Sequence, residues 1–229
     1  MPASKPHLAS VEVNPDAPPV ASVIWMHGLG ADGYDFSSVP PQLGLPRDLA
    51  VRYVFPHAPS MSVTINQGFV MPAWYDVKSF DARGQDERGI RRSAGWIRQL
   101  VTREVEGGIA PGRIVLAGFS QGGAMALFTG LRHPEPLAGI MVLSGYLLLA
   151  ETLAAEATEA NRRTSIFQAH GLSDPTVPVE LGKLTYQGLS AAGYGVEWHD
   201  YPMQHQVCSE ELHDIGRWLI KVLRVDSET

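Results

Sequence analysis

The chain has 229 residues, 45% of them hydrophobic, which suits one α/β domain with a substantial core. Eighteen basic against 24 acidic residues give a net charge of −6 with no basic stripe, which argues against nucleic acid and anionic membrane surfaces as partners. The single cysteine suits a reducing compartment, and no signal peptide or bilayer-spanning stretch is apparent, so we expect a cytoplasmic protein without stable membrane insertion.

The beginning of the chain differs from the rest in composition. Residues 1–20 contain five prolines and little pattern beyond Val11-Glu12-Val13, which we interpret as an edge strand. We therefore predict an N-terminal extension over 1–20 and a single domain over 21–224.

Strands and helices are predicted to alternate through this domain. Apolar runs of strand length predict strands at 21–26, 50–55, 114–118, 137–144, 165–170 and 196–201. Helical periodicity predicts helices at 86–106, 150–160, 179–192 and 209–223, the last with Ser209 as its N-cap. Residues 60–78 are irregular and rich in large apolar side chains, which either pack over the core or line a pocket. The alternation predicts a mostly parallel central sheet covered by helices on both faces.

The glycines after the first strand of the domain form a second feature. Residues 21–26 run directly into His27-Gly28-Leu29-Gly30, where the backbone must turn tightly or approach another group closely. The segment is either an ordinary strand-to-helix turn or an oxyanion loop in which the Leu29 N–H is a donor.

The sequence Gly118-Phe119-Ser120-Gln121-Gly122 lies between an apolar strand and a run of helix-favouring residues. This context indicates a nucleophile elbow, in which the serine hydroxyl stands clear of the sheet on a sharp turn. Side chains two residues before and after the serine would collide beneath it, which explains the two glycines. The alternative is a glycine-rich turn that closes an ordinary βα unit.

Three predicted strand ends carry the parts of a nucleophilic site. Ser120, Asp174 and His205 follow the strands at 114–118, 165–170 and 196–201, in the chain order expected for an α/β-hydrolase. A neutral imidazole must take the proton of the serine, and a carboxylate must orient that imidazole and stabilise its charged form. The sequence therefore predicts a Ser120–His205–Asp174 triad.

Other candidates for these roles exist. Among the eight histidines, His205 alone lies in a loop after the last strand, with His199 and His170 as the next to be tried. Asp200 competes with Asp174, but it lies within a strand and too near His205 in sequence to reach around its ring. Cys208 stands at a helix start, where a thiol can be acidified, but the elbow already holds a serine, so a structural thiol is favoured. No zinc spacing is present, and no metal or other cofactor is implied.

Several motifs together resemble the carboxylesterase/acyl-protein thioesterase family of small α/β-hydrolases. The motifs are Gly-Phe-Ser-Gln-Gly-Gly at 118–123, His-Gly-Leu-Gly at 27–30, Ala-Trp-Tyr-Asp at 73–76, His-Gly-x-x-Asp-Pro-x-Val-Pro at 170–178 and Tyr-Pro-Met-x-His at 201–205. The resemblance implies the same triad, with oxyanion donors from the backbone N–H groups of Leu29 and Gln121. It also implies an acyl groove near residues 63–77 and allows a homodimer.

The predicted function is a serine hydrolase that acts on short or medium acyl esters and on some thioesters. Alternatives are an acyl-protein thioesterase or a lysophospholipase as the main activity, and a non-catalytic binding module with this fold. A dienelactone-hydrolase-like enzyme would need cysteine at position 120.

The shape of the site follows from what is missing between two predicted strands. Residues 146–164 are too few for a large cap domain, so we expect an open groove for the acyl chain. Its expected apolar walls are Phe69, Met71, Trp74, Tyr146 and Val177.

Overall fold

A computed structural model describes residues 8–79 and 84–224 of the chain. The first seven residues of the predicted extension and residues 80–83 of the predicted domain lie outside this part.

Strands and helices alternate along most of the described chain. The strands are β1 (Ser10–Val13), β2 (Ala21–Met26), β3 (Val51–Pro56), β4 (Ser60–Val63), β5 (Phe69–Pro72), β6 (Ile114–Phe119), β7 (Gly139–Leu143), β8 (Ser165–Gly171) and β9 (Val196–Tyr201). The helices are α1 (Glu87–Glu106), α2 (Gln121–Leu131), α3 (Leu153–Glu156), α4 (Val179–Ala191) and α5 (Ser209–Leu223).

Seven strands form the central sheet in the order β1-β3-β2-β6-β7-β8-β9. All neighbours are parallel except β1, which pairs antiparallel with β3 at the edge. The chain builds outward from β2 in one direction and from β6 in the other, so the carboxyl ends of these two adjacent strands flank the switch point of the sheet. Ligand sites of open α/β sheets form at such points.

The sheet separates two apolar cores, and alternate side chains of each strand enter opposite ones. In β2, Ile24 and Met26 belong to the core that contains α1, α2 and part of α4. Val23 and Trp25 belong to the other core, which α5 covers. The predicted parallel sheet with helices on both faces is therefore confirmed.

The predicted helix at 150–160 is wrong in extent. The segment forms a 3-10 turn at Ala150–Thr152, the single helical turn α3, and a second 3-10 turn at Glu159–Asn161. Ala157 is extended, with φ −62° and ψ 139°, and the Glu156 carboxylate binds Arg91 of α1 and Arg132, the residue after α2. These tertiary contacts override the helix propensity of the alanine-rich sequence. Within the described chain, the residues between β7 and β8 form no cap domain.

Two further details differ from the sequence-based predictions. Cys208 is the N-cap of α5, without a side-chain cap, and Ser209 is already the first helical residue. Residues 60–72 are predicted to be irregular, but they form an antiparallel hairpin of β4 and β5 in which Val63 pairs with Phe69.

Candidate active site

Ser120 lies at the turn between β6 and α2 with φ 55° and ψ −120°, a conformation that L-residues rarely adopt. The two flanking glycines are required by close packing. A Cβ on Gly118 would lie 2.2 Å from the carbonyl carbon of Gly122, and a Cβ on Gly122 would lie 2.3 Å from the Met26 oxygen. The Ser120 N–H donates to the Leu143 carbonyl of β7 at 2.7 Å, which ties the turn to the neighbouring strand. The turn thus has the strained geometry predicted for an elbow.

His205 and Asp174 form a short hydrogen bond beside this turn. His205 Nδ1 lies 2.6 Å from Asp174 Oδ2, and the other carboxylate oxygen accepts the N–H groups of Thr176 and Val177, each at 2.8 Å. The Asp174 side chain is fully buried, whereas 17% of the His205 side chain is exposed. Because the carboxylate can only accept, Nδ1 carries the proton of this hydrogen bond, and in a neutral ring Nε2 is then the acceptor.

The ring of His205 also contacts the elbow directly. Its centroid lies 4.7 Å from that of Phe119, the residue before Ser120. Within the described part of the chain, the Ser120 hydroxyl makes no hydrogen bond, and so it forms none with His205. Catalytic hydrogen bonds of this kind are often long until substrate binds.

The competing side chains have other partners. His199 lies 3.0 Å from Glu197 Oε1 and stacks on Phe167. Asp200 accepts the indole N–H of Trp198 at 3.2 Å. His170 is fully buried; its Nε2–H donates to the Val177 carbonyl at 2.8 Å and lies 3.6 Å from Asp174 Oδ2. Burial lowers the pKa of His170, so this ring is a neutral support beneath the carboxylate.

The loop after β2 lies directly against the elbow. A Cβ on Gly28 would lie 3.4 Å from the Ser120 Cβ. His27 holds this loop, because its Nδ1–H donates to the Gly28 carbonyl at 2.7 Å and its Nε2 accepts the Ala58 N–H at 3.0 Å. Burial lowers the pKa of His27, which favours the neutral ring that this pattern needs.

The two predicted oxyanion donors lie on either side of this contact. The Gln121 N–H is at the first position of α2, where helical N–H groups have no partner within the helix. Neither this N–H nor that of Leu29 donates a hydrogen bond within the described part of the chain. Two unpaired donors next to a serine are the arrangement that stabilises a tetrahedral oxyanion.

The five predicted wall residues do not form one surface. Phe69 is exposed on the hairpin, with 68% of its surface accessible, and Met71 is half-buried next to Gly30. Tyr146 is buried, with its hydroxyl 3.0 Å from that of Tyr75. Trp74 and Val177 are packed in the core and offer almost no exposed surface, so their place on a groove wall stays a prediction from the sequence.

The sequence predicts no role for the side chain of Gln121, and none as a hydrogen-bond donor for that of Trp74. Gln121 is buried and binds the backbone of Trp74 and Tyr75. The Trp74 indole N–H donates to the His27 carbonyl at 2.9 Å. The only sequence signal for these contacts is the Ala-Trp-Tyr-Asp motif, which carries no indication of a partner.

A separate cavity of about 540 Å³ lies between the segment after β7 and the end of α4. Its lining includes Leu147, Leu153, Ala157, Arg162, Ala192 and Tyr194, and none of the predicted site residues. Within residues 8–79 and 84–224, no group of three or more His, Cys, Asp or Glu side chains could hold a metal ion.

Comparison with known proteins identifies relatives over nearly the whole chain. The sequence profile of the phospholipase/carboxylesterase family matches residues 8–223. The chain belongs to this family. Acyl-protein thioesterase 1 of Neurospora crassa is 43% identical over 213 residues, which cover 89% of this chain and 87% of that protein. Acyl-protein thioesterase 1 of Gibberella zeae is 40% identical over 213 residues, with coverage of 89% and 91%.

Solved structures of family relatives have the same fold. Arabidopsis thaliana SOBER1 superposes with a TM-score of 0.84 at 30% identity, covering 89% of this chain and 99% of that one. Zea mays acyl-protein thioesterase 2 gives a TM-score of 0.80 at 26% identity, covering 95% and 100%. The α/β-hydrolase fold is thereby confirmed, and the protein is an enzyme of the esterase and thioesterase type rather than a binding module.

Among the helices that the structure describes, none is both long enough and apolar enough to cross a bilayer.

Proposed function

We propose that this protein hydrolyses acyl thioesters of acylated proteins through Ser120, His205 and Asp174. The observation that carries the chemistry is the 2.6 Å hydrogen bond between His205 Nδ1 and Asp174 Oδ2 beside the Ser120 elbow. The support for the substrate class is the name of the relatives, acyl-protein thioesterase 1. It favours the alternative hypothesis from the sequence over a preference for short or medium oxygen esters.

The reaction proceeds in two half-reactions. Ser120 Oγ attacks the acyl carbonyl carbon while His205 Nε2 takes its proton, and the oxyanion forms against the Leu29 and Gln121 N–H groups. The tetrahedral intermediate collapses, the carbon–sulfur bond breaks, and the thiolate receives the proton from His205. Water then attacks the acyl-enzyme by the same route, which releases the carboxylic acid and restores Ser120.

The chemistry favours a thioester over an oxygen ester of the same acid. A cysteine thiol has a pKa of about 8.5, so a thiolate leaves with less help from a general acid than an alkoxide. The leaving group also needs no pocket of its own, since within the described chain no cap domain lies over Ser120.

The test compares matched substrates on one enzyme. An S-acyl peptide, its O-acyl serine analogue, a p-nitrophenyl ester and a lysophospholipid carry the same acyl chain, and kcat/KM is measured for each. We expect the S-acyl peptide to be the best substrate. A fluorophosphonate should label Ser120 once, and Ser120→Ala should lower kcat by about 10⁴-fold or more. Labelling that survives Ser120→Ala, or a lysophospholipid preferred tenfold, would contradict the proposal.

An acyl-length series tests the groove. Each methylene that enters apolar surface is worth about 0.8 kcal/mol, or roughly a fourfold rise in kcat/KM. We propose that Met71, Tyr146 and the hairpin residue Phe69 supply this surface, which gives a rise from acetyl to an optimum, then a plateau. A flat series would show that the acyl chain is not bound.

A homodimer, a cytoplasmic location and the division of the polypeptide at residue 20 stay predictions from the sequence.

A further inference from the structure

The oxygen and the nitrogen of the Gln121 side-chain amide both form hydrogen bonds with a segment that is distant in sequence. Its Oε1 accepts the Trp74 N–H and its Nε2 donates to the Tyr75 carbonyl, both at 2.8 Å. The side chain is only 3% exposed, and 47 residues separate it from Trp74. Gln121 therefore connects the start of α2 to the chain after β5 through two buried hydrogen bonds.

The same segment holds the loop that carries the other oxyanion donor. The Trp74 indole N–H donates to the His27 carbonyl at 2.9 Å, and the Gly30 N–H donates to the Pro72 carbonyl at 2.9 Å. Leu29 lies between these two attachment points. The segment is itself fixed from behind, because Ser93 of α1 donates to the Trp74 carbonyl. A continuous chain of hydrogen bonds thus joins Gln121 to both sides of Leu29.

An oxyanion hole requires its two donors to be held at a fixed separation, which this chain of hydrogen bonds can provide. The Leu29 and Gln121 N–H groups belong to loops after different strands, and both must reach the same oxygen at about 2.7–3.1 Å. Donors that are held before the reaction stabilise the transition state without reorganisation, whereas mobile donors lose part of that gain.

We propose that the Gln121 side chain is a positioning residue, which acts through Trp74 to fix the distance between the two oxyanion donors. This inference rests on the proposed function. The Gln121 side chain positions the donors, while the backbone N–H of Gln121 donates one of the two hydrogen bonds to the oxyanion.

The test is Gln121→Met, which keeps the backbone N–H and similar bulk but removes both side-chain hydrogen bonds. We expect kcat to fall by about 10- to 100-fold while KM changes less than about twofold, since the donors act mainly in the transition state. An acyl trifluoromethyl ketone, whose hemiketal oxyanion occupies the hole, should lose affinity by the same factor as kcat/KM. Affinity for the product acid should be unchanged.

Asn161 provides a matched control at a distance from the site. It is fully buried, accepts the Leu137 N–H at 2.9 Å, and donates to the carbonyls of His133 at 2.8 Å and Glu135 at 2.9 Å. These groups precede β7 and β8 and so lie at the amino ends of these strands, whereas Ser120 follows the carboxyl end of β6. Asn161→Leu should lower the melting temperature but leave kcat and affinity for the ketone unchanged.

A second variant breaks the connection without touching Gln121. Trp74→Phe removes the indole N–H with its bond to His27, together with part of the buried ring, and we expect kcat to fall about 3- to 10-fold. Combined with Gln121→Met it should add little, because both changes interrupt the same chain of hydrogen bonds. If Gln121→Met does not fold, Trp74→Phe alone decides, through the same match between kcat/KM and ketone affinity.

The inference is overturned if Gln121→Met or Trp74→Phe changes only the melting temperature, as Asn161→Leu should. It is also overturned if the two losses multiply in the double variant. Failure of the proposed function looks different: the wild-type protein would turn over no acyl substrate, or Ser120→Ala would keep its turnover.

Discussion

Two buried carboxyl groups, those of Asp174 and Glu211, have opposite surroundings. Asp174 contacts His205 directly, and each of its oxygens accepts at least one hydrogen bond. Glu211 lies in the first turn of α5, which begins four residues after His205, and neither of its oxygens has a hydrogen-bond partner within the described chain. Burial, together with a smaller contribution from the Asp214 carboxylate, raises the pKa of Glu211 to about 8. Hydrogen bonds therefore surround the first of these two groups and not the second.

The reason lies in the backbone that each group meets. Asp174 heads a turn whose next N–H groups, those of Thr176 and Val177, point back at it. Glu211 is three residues after the N-cap Cys208, the place from which a glutamate reaches back to the N-cap N–H. That N–H lowers the pKa somewhat without reaching hydrogen-bond geometry. The comparison teaches that burial alone does not make a carboxyl group useful, since its partners decide.

The largest effect should come from removing the charge of the partnered carboxyl group. We expect Asp174→Asn to lower kcat on the order of 10⁴-fold, because the amide cannot stabilise the imidazolium of His205 and can select the wrong tautomer. His205→Ala should be similarly inactive, with an unchanged circular dichroism spectrum. Asp200→Asn is the control, since this exposed carboxylate accepts a hydrogen bond from Trp198 and, among the residues that the structure describes, none from His205, and it should keep nearly full activity. A kcat above a tenth of wild type in Asp174→Asn would show that the acid is misassigned.

The sequence was sufficient for features that depend on local pattern. The elbow at Ser120 follows from two glycines that packing requires, and the parallel sheet follows from apolar runs such as 114–118. The order of Asp174 and His205 along the chain pointed to their meeting because carboxyl ends of parallel strands share one edge.

Features that depend on distant contacts were missed or wrong. The helix predicted at 150–160 ends early because Glu156 binds Arg91 of α1 and Arg132 after the end of α2. The sequence predicts Trp74 on a groove wall, but an aromatic residue in an apolar loop suits either a wall or the core. Its burial depends on Gln121 and His27, residues far away in sequence.

The second effect tests the unpartnered carboxyl group. Glu211→Gln should stabilise the fold at pH 8 by about 2 kcal/mol, since each unit of pKa shift is worth about 1.4 kcal/mol and relaxation reduces the full value. The folded pKa is about 8, above the ordinary value of 4.5. The contribution of Glu211 is therefore fully present below pH 4.5 and is lost as pH rises towards 8. Denaturant unfolding at a series of pH values measures this slope, which Glu211→Gln should flatten.

Glu210 offers the control for that experiment. It is exposed in the same first turn of α5, so Glu210→Gln should change the free energy of unfolding by less than about 0.5 kcal/mol at any pH. Neither variant should alter kcat. An unchanged slope in Glu211→Gln would mean that the carboxyl group finds a partner in solution.

The smallest effect concerns a third carboxyl group, which is partnered but partly exposed. Glu156 accepts hydrogen bonds from Arg91 at 2.6 Å, Arg132 at 2.7 Å and Thr152 at 2.7 Å, and its side chain is 28% exposed. The bond from Arg91, followed by those from Arg132 and Thr152, lowers the pKa of Glu156 to about 2. Solvent screens such pairs, so we expect Glu156→Gln to cost about 1 kcal/mol at pH 7.

The pH dependence of this cost has the opposite sign to that of Glu211. The stabilisation by Glu156 is present above pH 4.5 and is lost as pH falls towards 2, because the folded state then has to bind a proton at an occupied site. Glu87→Gln is the control, since Glu87 contacts Arg91 at 2.7 Å but is 57% exposed, and it should have a smaller effect. If the free energy of unfolding of Glu156→Gln fell below pH 4.5 as steeply as that of the wild-type protein, the ion pairs would not form in solution. The segment after β7 would then be held by its apolar contacts alone, and removing Glu156 should leave its position unaltered.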